Sequence, residues 1–205
     1  MREHNVSLGL ERAELAGAKV QGYCAPRFRP VLDAFVENFE RDVEQGASLA
    51  VELEGETVID VWGGFADLTA RRQWEQDTIG VVFSNTKAAT ALCAHILADG
   101  GALDIDTPVA HYWPEFAAAG KADVTVRMLL DHSAGVPALR EMLPDGAAFD
   151  WNEMTARLAA EVPYWKPGTS VGYHGLTFGW LVGKSSGGLR GSRWANFFRN
   201  AWQYL

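Results

Sequence analysis

The chain has 205 residues, 48% of them apolar and 21% charged, a globular balance with enough length to bury a core. Its net charge of −8 and the lack of a basic stripe argue against nucleic acid as a partner. No apolar run reaches the ~20 residues that a membrane span needs.

The first 17 residues, MREHNVSLGLERAELAG, are charged and contain no apolar signal core, so a cytoplasmic location is expected. Residues 1–20 read as an N-terminal extension. Cys24 and Cys93 have no metal-ligand spacing and are expected to be reduced thiols. Residues 31–45 place Val31, Leu32, Phe35, Val36 and Phe39 on one helical face. In the next stretch Leu49, Val51 and Leu53 alternate, Gly55 turns the chain, and Val58, Ile59 and Val61 resume. This predicts a β-hairpin over 48–61 that ends at Gly63-Gly64. RRQWEQDT follows as a polar loop.

From Ser84 to Asp99 the apolar, alanine-rich run predicts a helix, stopped by Gly100-Gly101. LDIDTPVAHYWPEF (103–116) reads as an extended loop marked by its prolines. A short helix is expected from Thr125 to Asp131, a turn at HSAGVP, and a further helix over 151–161. PYWKPGTSVGY is a turn-rich approach to Tyr173. Sheet followed by mostly helical sequence predicts an α/β (α+β) architecture with helices against an antiparallel sheet.

Ser84 and Lys87 carry the most chemistry. Eight serines and five lysines produce this spacing by chance about 0.2 times per chain, so the pair alone decides nothing. Serine is also a favoured helix N-cap. The setting matters more. Positions i and i+3 share a helix face, so the Ser84 hydroxyl and the Lys87 amine can meet. The residues that follow are apolar or small, which predicts a buried helix start. Burial and the helix dipole both lower a lysine pKa, and a neutral amine beside a serine hydroxyl is a usable base. A tyrosine such as Tyr173 could relay that proton if the fold brings it close. His4, His95, His111, His132 and His174 show no metal-binding spacing, and no metal or cofactor is expected. His132, in a turn, and His174, beside Tyr173, suit structural or substrate-lining roles.

Ser84-x-x-Lys87 at the head of an alanine-rich helix resembles the serine β-lactamase and penicillin-binding-protein superfamily. VWGGFAD (61–67), LDIDTPVAHYWPEF (103–116), TVRMLLDHSAGVP (125–137) and WKPGTSVGYHGLTFGWLVG (165–183) resemble its class C-like, carboxylesterase branch. The resemblance covers residues 21–183 and implies a β-lactamase/transpeptidase-like fold. It implies Ser84 as the acylated nucleophile, Lys87 as its base and Tyr173 as the relay, on a small ester or amide substrate. The Ser84 N–H would be half of the oxyanion hole. Where the family often carries asparagine two residues after the tyrosine, this chain has Gly175, which favours a carboxylesterase over a β-lactamase or D-amino-acid peptidase. A non-catalytic fragment or homologue is the alternative of another class.

The family's third motif lies on a strand far beyond the tyrosine. KSSG (184–187) stands too near Tyr173 to be that strand, so the C-terminal part of the fold is expected to be missing. Strands after the second motif would also be the expected partners of the 48–61 hairpin. Residues 184–205 are glycine-rich and off-pattern. A frame shifted by one base at the Gly183 codon permits a continuation of the apolar helix, so a frameshift and truncation are expected there.

Overall fold

The structure, a computed structural model, describes residues 4–41 and 43–186. The chain divides into two compact units between residues 81 and 82.

The first unit is built on an antiparallel sheet. Strands β1 (Asn5–Gly9), β2 (Lys19–Cys24), β3 (Gly46–Leu53) and β4 (Glu56–Asp67) stand in the order β1-β2-β4-β3, and the two-residue β5 (Arg72–Gln73) pairs with β4. The hairpin β3–β4 turns on Glu54 and Gly55, both with positive φ (53° and 77°), the conformation that fits the twist of a two-residue connection. Helix α1 (Arg29–Glu40) adds Leu32 and Phe39 to a core shared with Leu15, Val20, Ile59 and Val61.

Four expectations change here. The stretch taken as an extension supplies β1 and the first residues of β2, whose partners lie across the sheet and not nearby in sequence. β4 runs through Gly63-Gly64 to Asp67. Gly64 has φ 80°, and a Cβ there would strike the Gln45 carbonyl and the Phe39 ring, so glycine lets the strand continue where a side chain would not fit. β4 is already paired on both sides, by β2 and β3, so an open edge of the hairpin remains only on β3, whose outer side has no strand partner among the described residues. Finally, α1 starts and stops earlier than 31–45, with Pro30 in its first turn, where a missing N–H costs nothing, and Arg41 as its C-cap.

The second unit is helical among the described residues. A 3-10 turn (Phe83–Asn85) leads into α2 (Thr86–Asp99), which ends at Gly100-Gly101 as expected. The stretch expected to be an extended loop contains α3 (Val109–Tyr112) and a 3-10 segment (Pro114–Gly120), because Pro108 and Pro114 sit at helix starts rather than inside helices. Then come α4 (Val126–Leu130), α5 (Trp151–Ala160) and α6 (Phe178–Ser185). The Thr125 hydroxyl accepts the Met128 N–H at 3.3 Å, and the Asp150 carboxylate accepts the Asn152 and Glu153 N–H groups at 2.9 and 3.1 Å, so α4 and α5 each begin at a side-chain cap.

Helix α6 is the hub of this unit. It packs against α2, α3, α4 and α5, and its Phe178, Leu181 and Val182 join Val109, Phe116, Leu129 and Leu158 in the core. Helix α2 is less buried than its composition suggests. Only Cys93 and Ala94 are buried, and Leu92 is 38% exposed. Alanine is compatible with either environment, so an alanine-rich run does not report how many of its faces are covered. No helix among the described residues is long and apolar enough to cross a membrane. The off-pattern tail lies, from residue 187 on, outside the described residues.

Candidate functional site

Ser84 sits in the 3-10 turn ahead of α2, and Lys87 is the second residue of that helix. The chain enters the turn through Phe83, a non-glycine residue at φ 43°. Neither the turn nor α2 has a side-chain N-cap, so Ser84 does not serve as the helix cap that its position suggested. Its hydroxyl instead accepts a hydrogen bond from Lys87 Nζ at 3.1 Å. The one-turn spacing brings the two groups together, as the i, i+3 pattern predicts.

Lys87 Nζ also donates to the Gly175 carbonyl at 2.7 Å, a contact across 88 residues that ties α2 to the segment before α6. It stands 4.9 Å from the centroid of the Tyr173 ring and 5.9 Å from that of Phe178. The fold thus gathers all three residues singled out in the sequence. The buried helix start does not materialise: Ser84 is exposed and Lys87 half-buried, with Phe83, next to Ser84, and Leu176, next to Gly175, also exposed.

Tyr173 is largely exposed, and its phenol pKa is pushed below the ordinary 10.0. Hydrogen bonding with the Ser84 hydroxyl is the main cause, followed by hydrogen bonding with Lys87; desolvation opposes them, and the Lys87 charge adds a smaller push downward. A phenolate there is the form that can accept a proton from the serine.

The sequence pointed to neither the partner of Lys87 nor the support beneath Tyr173. The partner is a backbone carbonyl, which no side-chain pattern announces. The support comes from two segments far apart in sequence. Gly172 N–H donates to the His132 carbonyl at 3.1 Å, and the Thr177 hydroxyl donates to the Val136 carbonyl at 2.8 Å. A Cβ at Gly172 would strike the Trp165 ring, so the backbone before Tyr173 lies directly on that indole. The Trp165 N–H in turn donates to the Ser133 carbonyl at 3.2 Å. Among the described residues, no group of three or more His, Cys, Asp or Glu side chains could hold a metal ion.

Comparison with known proteins matches this architecture. A family model described as Beta-lactamase matches residues 32–202. The esterase/beta-lactamase LipL of Mycobacterium tuberculosis is 43% identical over 184 residues, 90% of this chain and 42% of that protein. The crystal structure of a family VIII carboxylesterase superposes with a TM-score of 0.75 at 44% identity, over 87% of this chain and 49% of that one. A penicillin-binding protein homologue from Caulobacter crescentus gives a TM-score of 0.77 at 41% identity, over 82% of this chain and 45% of that one. The chain therefore spans less than half the length of these relatives.

Proposed function

The chain belongs to the beta-lactamase family, and from that premise we propose that it carries the acylation centre of a serine hydrolase acting on small esters, with Ser84 as nucleophile. The observation that carries this reading is the hydrogen-bonded set Ser84–Lys87–Gly175 with Tyr173 against it. In the first step Ser84 Oγ attacks the acyl carbon while its proton passes to the Tyr173 phenolate. The new Oγ–acyl bond forms, the ester C–O bond breaks, and Tyr173 returns the proton to the departing alkoxide. Water then cleaves the acyl-serine, with Tyr173 again taking and returning a proton.

Lys87 orients Oγ, and its hydrogen bond and positive charge shift Tyr173 towards the phenolate. This moves the immediate base from Lys87, the sequence expectation, to Tyr173, because Lys87 already donates to both of its oxygen partners and the phenol is the group shifted towards its basic form. The Ser84 N–H is the first oxyanion donor. The names of the relatives, an esterase/beta-lactamase and a family VIII carboxylesterase, support the ester class. So does Gly175, which offers no side-chain amide to a β-lactam substituent. A cytoplasmic location is part of this proposal.

The test is covalent. A fluorophosphonate probe should label Ser84 and leave Ser84→Ala unlabelled, as mapped by peptide mass. Label on another serine, or label that survives Ser84→Ala, would overturn the assignment. On turnover, p-nitrophenyl butyrate should exceed nitrocefin in kcat/KM; equal values would return the β-lactamase reading.

A further inference from the structure

Two histidines that the proposed chemistry does not use lie directly behind it. His174 is fully buried. Its Nδ1–H donates to the Gly172 carbonyl at 2.7 Å, and its Nε2 accepts the Val136 N–H at 3.0 Å. A backbone N–H can only donate and a carbonyl can only accept, so Nε2 is the bare nitrogen and the ring is neutral. His132 repeats the arrangement one layer outward: its Nδ1 accepts the His174 backbone N–H at 3.2 Å. The two rings stack with centroids 5.5 Å apart, and His132 also meets the Tyr173 ring edge-on at 5.2 Å and the tilted Phe178 ring at 5.2 Å. His132 takes this place at φ 67°, a left-handed conformation that costs a non-glycine residue energy and persists only where the surroundings impose it.

We propose that His132 and His174 are positioning residues of the Ser84 site: two neutral imidazoles, each accepting one backbone N–H, that lock the 172–175 segment against Lys87 and release it when either ring takes up a proton. The inference rests on the proposed role of Ser84, Lys87 and Tyr173 for its effect on rate, but not for the lock itself. Protonation converts Nδ1 of His132 or Nε2 of His174 from acceptor to donor and sets it against an N–H. His174 carries both Tyr173 and Gly175 as chain neighbours, so a shift there moves the phenol and the carbonyl that receives Lys87.

The charged surroundings agree with neutral rings. Around His132 stand Lys87 from α2, Asp131 beside it, and Tyr173 and His174 from the opposite segment. Burial and then the Lys87 charge push its pKa below the ordinary 6.5, with Asp131 opposing. Burial does the same to His174, opposed by its bond to Gly172, while His132 lowers it further and Asp131 raises it. A depressed pKa means that the unfolded chain takes up the proton first as pH falls. The lock is therefore intact above pH 6.5 and fails progressively below it.

The experiment has two arms on the full chain. In the first, 15N correlation spectra of the imidazoles are recorded from pH 8 to pH 4. The expected result is an unprotonated Nδ1 on His132, an unprotonated Nε2 on His174, and Tyr173 and Gly175 amide shifts that move with the histidine titration below pH 6.5. The opposite tautomer on His132, or Tyr173 and Gly175 shifts indifferent to that titration, overturns the proposal. In the second arm the rate of fluorophosphonate labelling at Ser84 is followed over the same range. One ionising base gives a fall of about tenfold per pH unit, and a second proton taken up by the lock steepens the limb to about a hundredfold. His132→Asn keeps an acceptor near the Nδ1 position, suits the left-handed backbone and does not titrate. It should retain labelling at pH 8 and make the acid limb shallower than in the native chain by the one proton that His132 no longer takes up, His174 still titrating. An unchanged steep slope in His132→Asn overturns the rate effect. Absence of label on Ser84 at every pH instead rejects the proposed nucleophile, and the spectra still decide the lock.

Discussion

At the scale of single residues the site turns on who holds the proton. Lys87 donates to Ser84 Oγ and to the Gly175 carbonyl, and Tyr173 is shifted towards its phenolate. Tyr173→Phe should therefore lower the acylation rate by at least ~100-fold, the lower end of what positioned acid–base groups contribute, without altering the far-UV circular dichroism. Lys87→Ala should lose a similar factor by a different route. Two of the influences that lower the Tyr173 pKa come from Lys87, so in Lys87→Ala the phenol should titrate at higher pH. Tyrosinate absorbance, with Tyr173→Phe as the subtraction control, measures this. A Tyr173 titration unmoved by Lys87→Ala would assign the shift to Ser84 alone. Near-normal labelling of Tyr173→Phe would reduce that ring to a packing role.

At the scale of elements the helical unit is secured by a charge that the sequence did not mark. Lys121 is fully buried beside Phe116, with Nζ 5.1 Å from the ring centroid. Nζ donates to the carbonyls of Ala118 at 3.0 Å and Ala159 at 2.9 Å, and to that of Glu161. The last two lie at the C-terminal end of α5, where carbonyls lack helical partners and a cation complements the dipole. Lys121→Met keeps the volume and removes the side-chain donors; the Ala118 carbonyl keeps the Lys121 backbone N–H, while the Ala159 and Glu161 carbonyls lose the ammonium, that of Ala159 in a buried position. A loss of about 2–3 kcal/mol is expected, read as a lower denaturant midpoint at constant slope. Burial lowers the Lys121 pKa from 10.5, and the Glu161 charge opposes it. The unfolded chain thus holds this proton to higher pH than the folded one, and the lysine's contribution should grow as pH rises towards 10.5. The gap between the native chain and Lys121→Met should widen accordingly, and a gap that narrows would contradict the assignment.

At the scale of the whole molecule the sheet leaves edges open among the described residues, and that of the eight-residue β3 is longer than that of the five-residue β1. The ladder groups of β3 on its outer side have no strand partner among the described residues, and Ser48 and Ala50 are exposed along it. Such an edge is a template for pairing with another chain. Ala50→Lys should reduce concentration-dependent light scattering while leaving the melting temperature within a few degrees, because a charge on an open edge obstructs pairing without touching the core. Unchanged scattering would place the association elsewhere. The same sheet shows where sequence reading falls short. The hairpin β3–β4 was visible because its alternation and its turn are local. β1 and β2 were not, because NVSLG and KVQGYC are short and become strands only by pairing with each other and with β4.

The candidate site divides along the same line. Ser84 and Lys87 are one helical turn apart, so the sequence by itself determined that they could meet, and the ordered motifs around them determined the family. Tyr173 was a candidate from the sequence, but its place beside Lys87 depends on bringing together positions more than eighty residues apart. The tertiary structure alone decided that Ser84 is not a helix cap and that the partner of Lys87 is a backbone carbonyl. It alone decided that α2 keeps exposed faces, and that His132 and His174 each accept a backbone N–H from a segment distant in sequence. The reason is physical. Periodicity and spacing encode which groups share a face of one element. Burial, hydrogen-bond partners and proton affinity depend on what packs against that face, and packing is set by the whole chain.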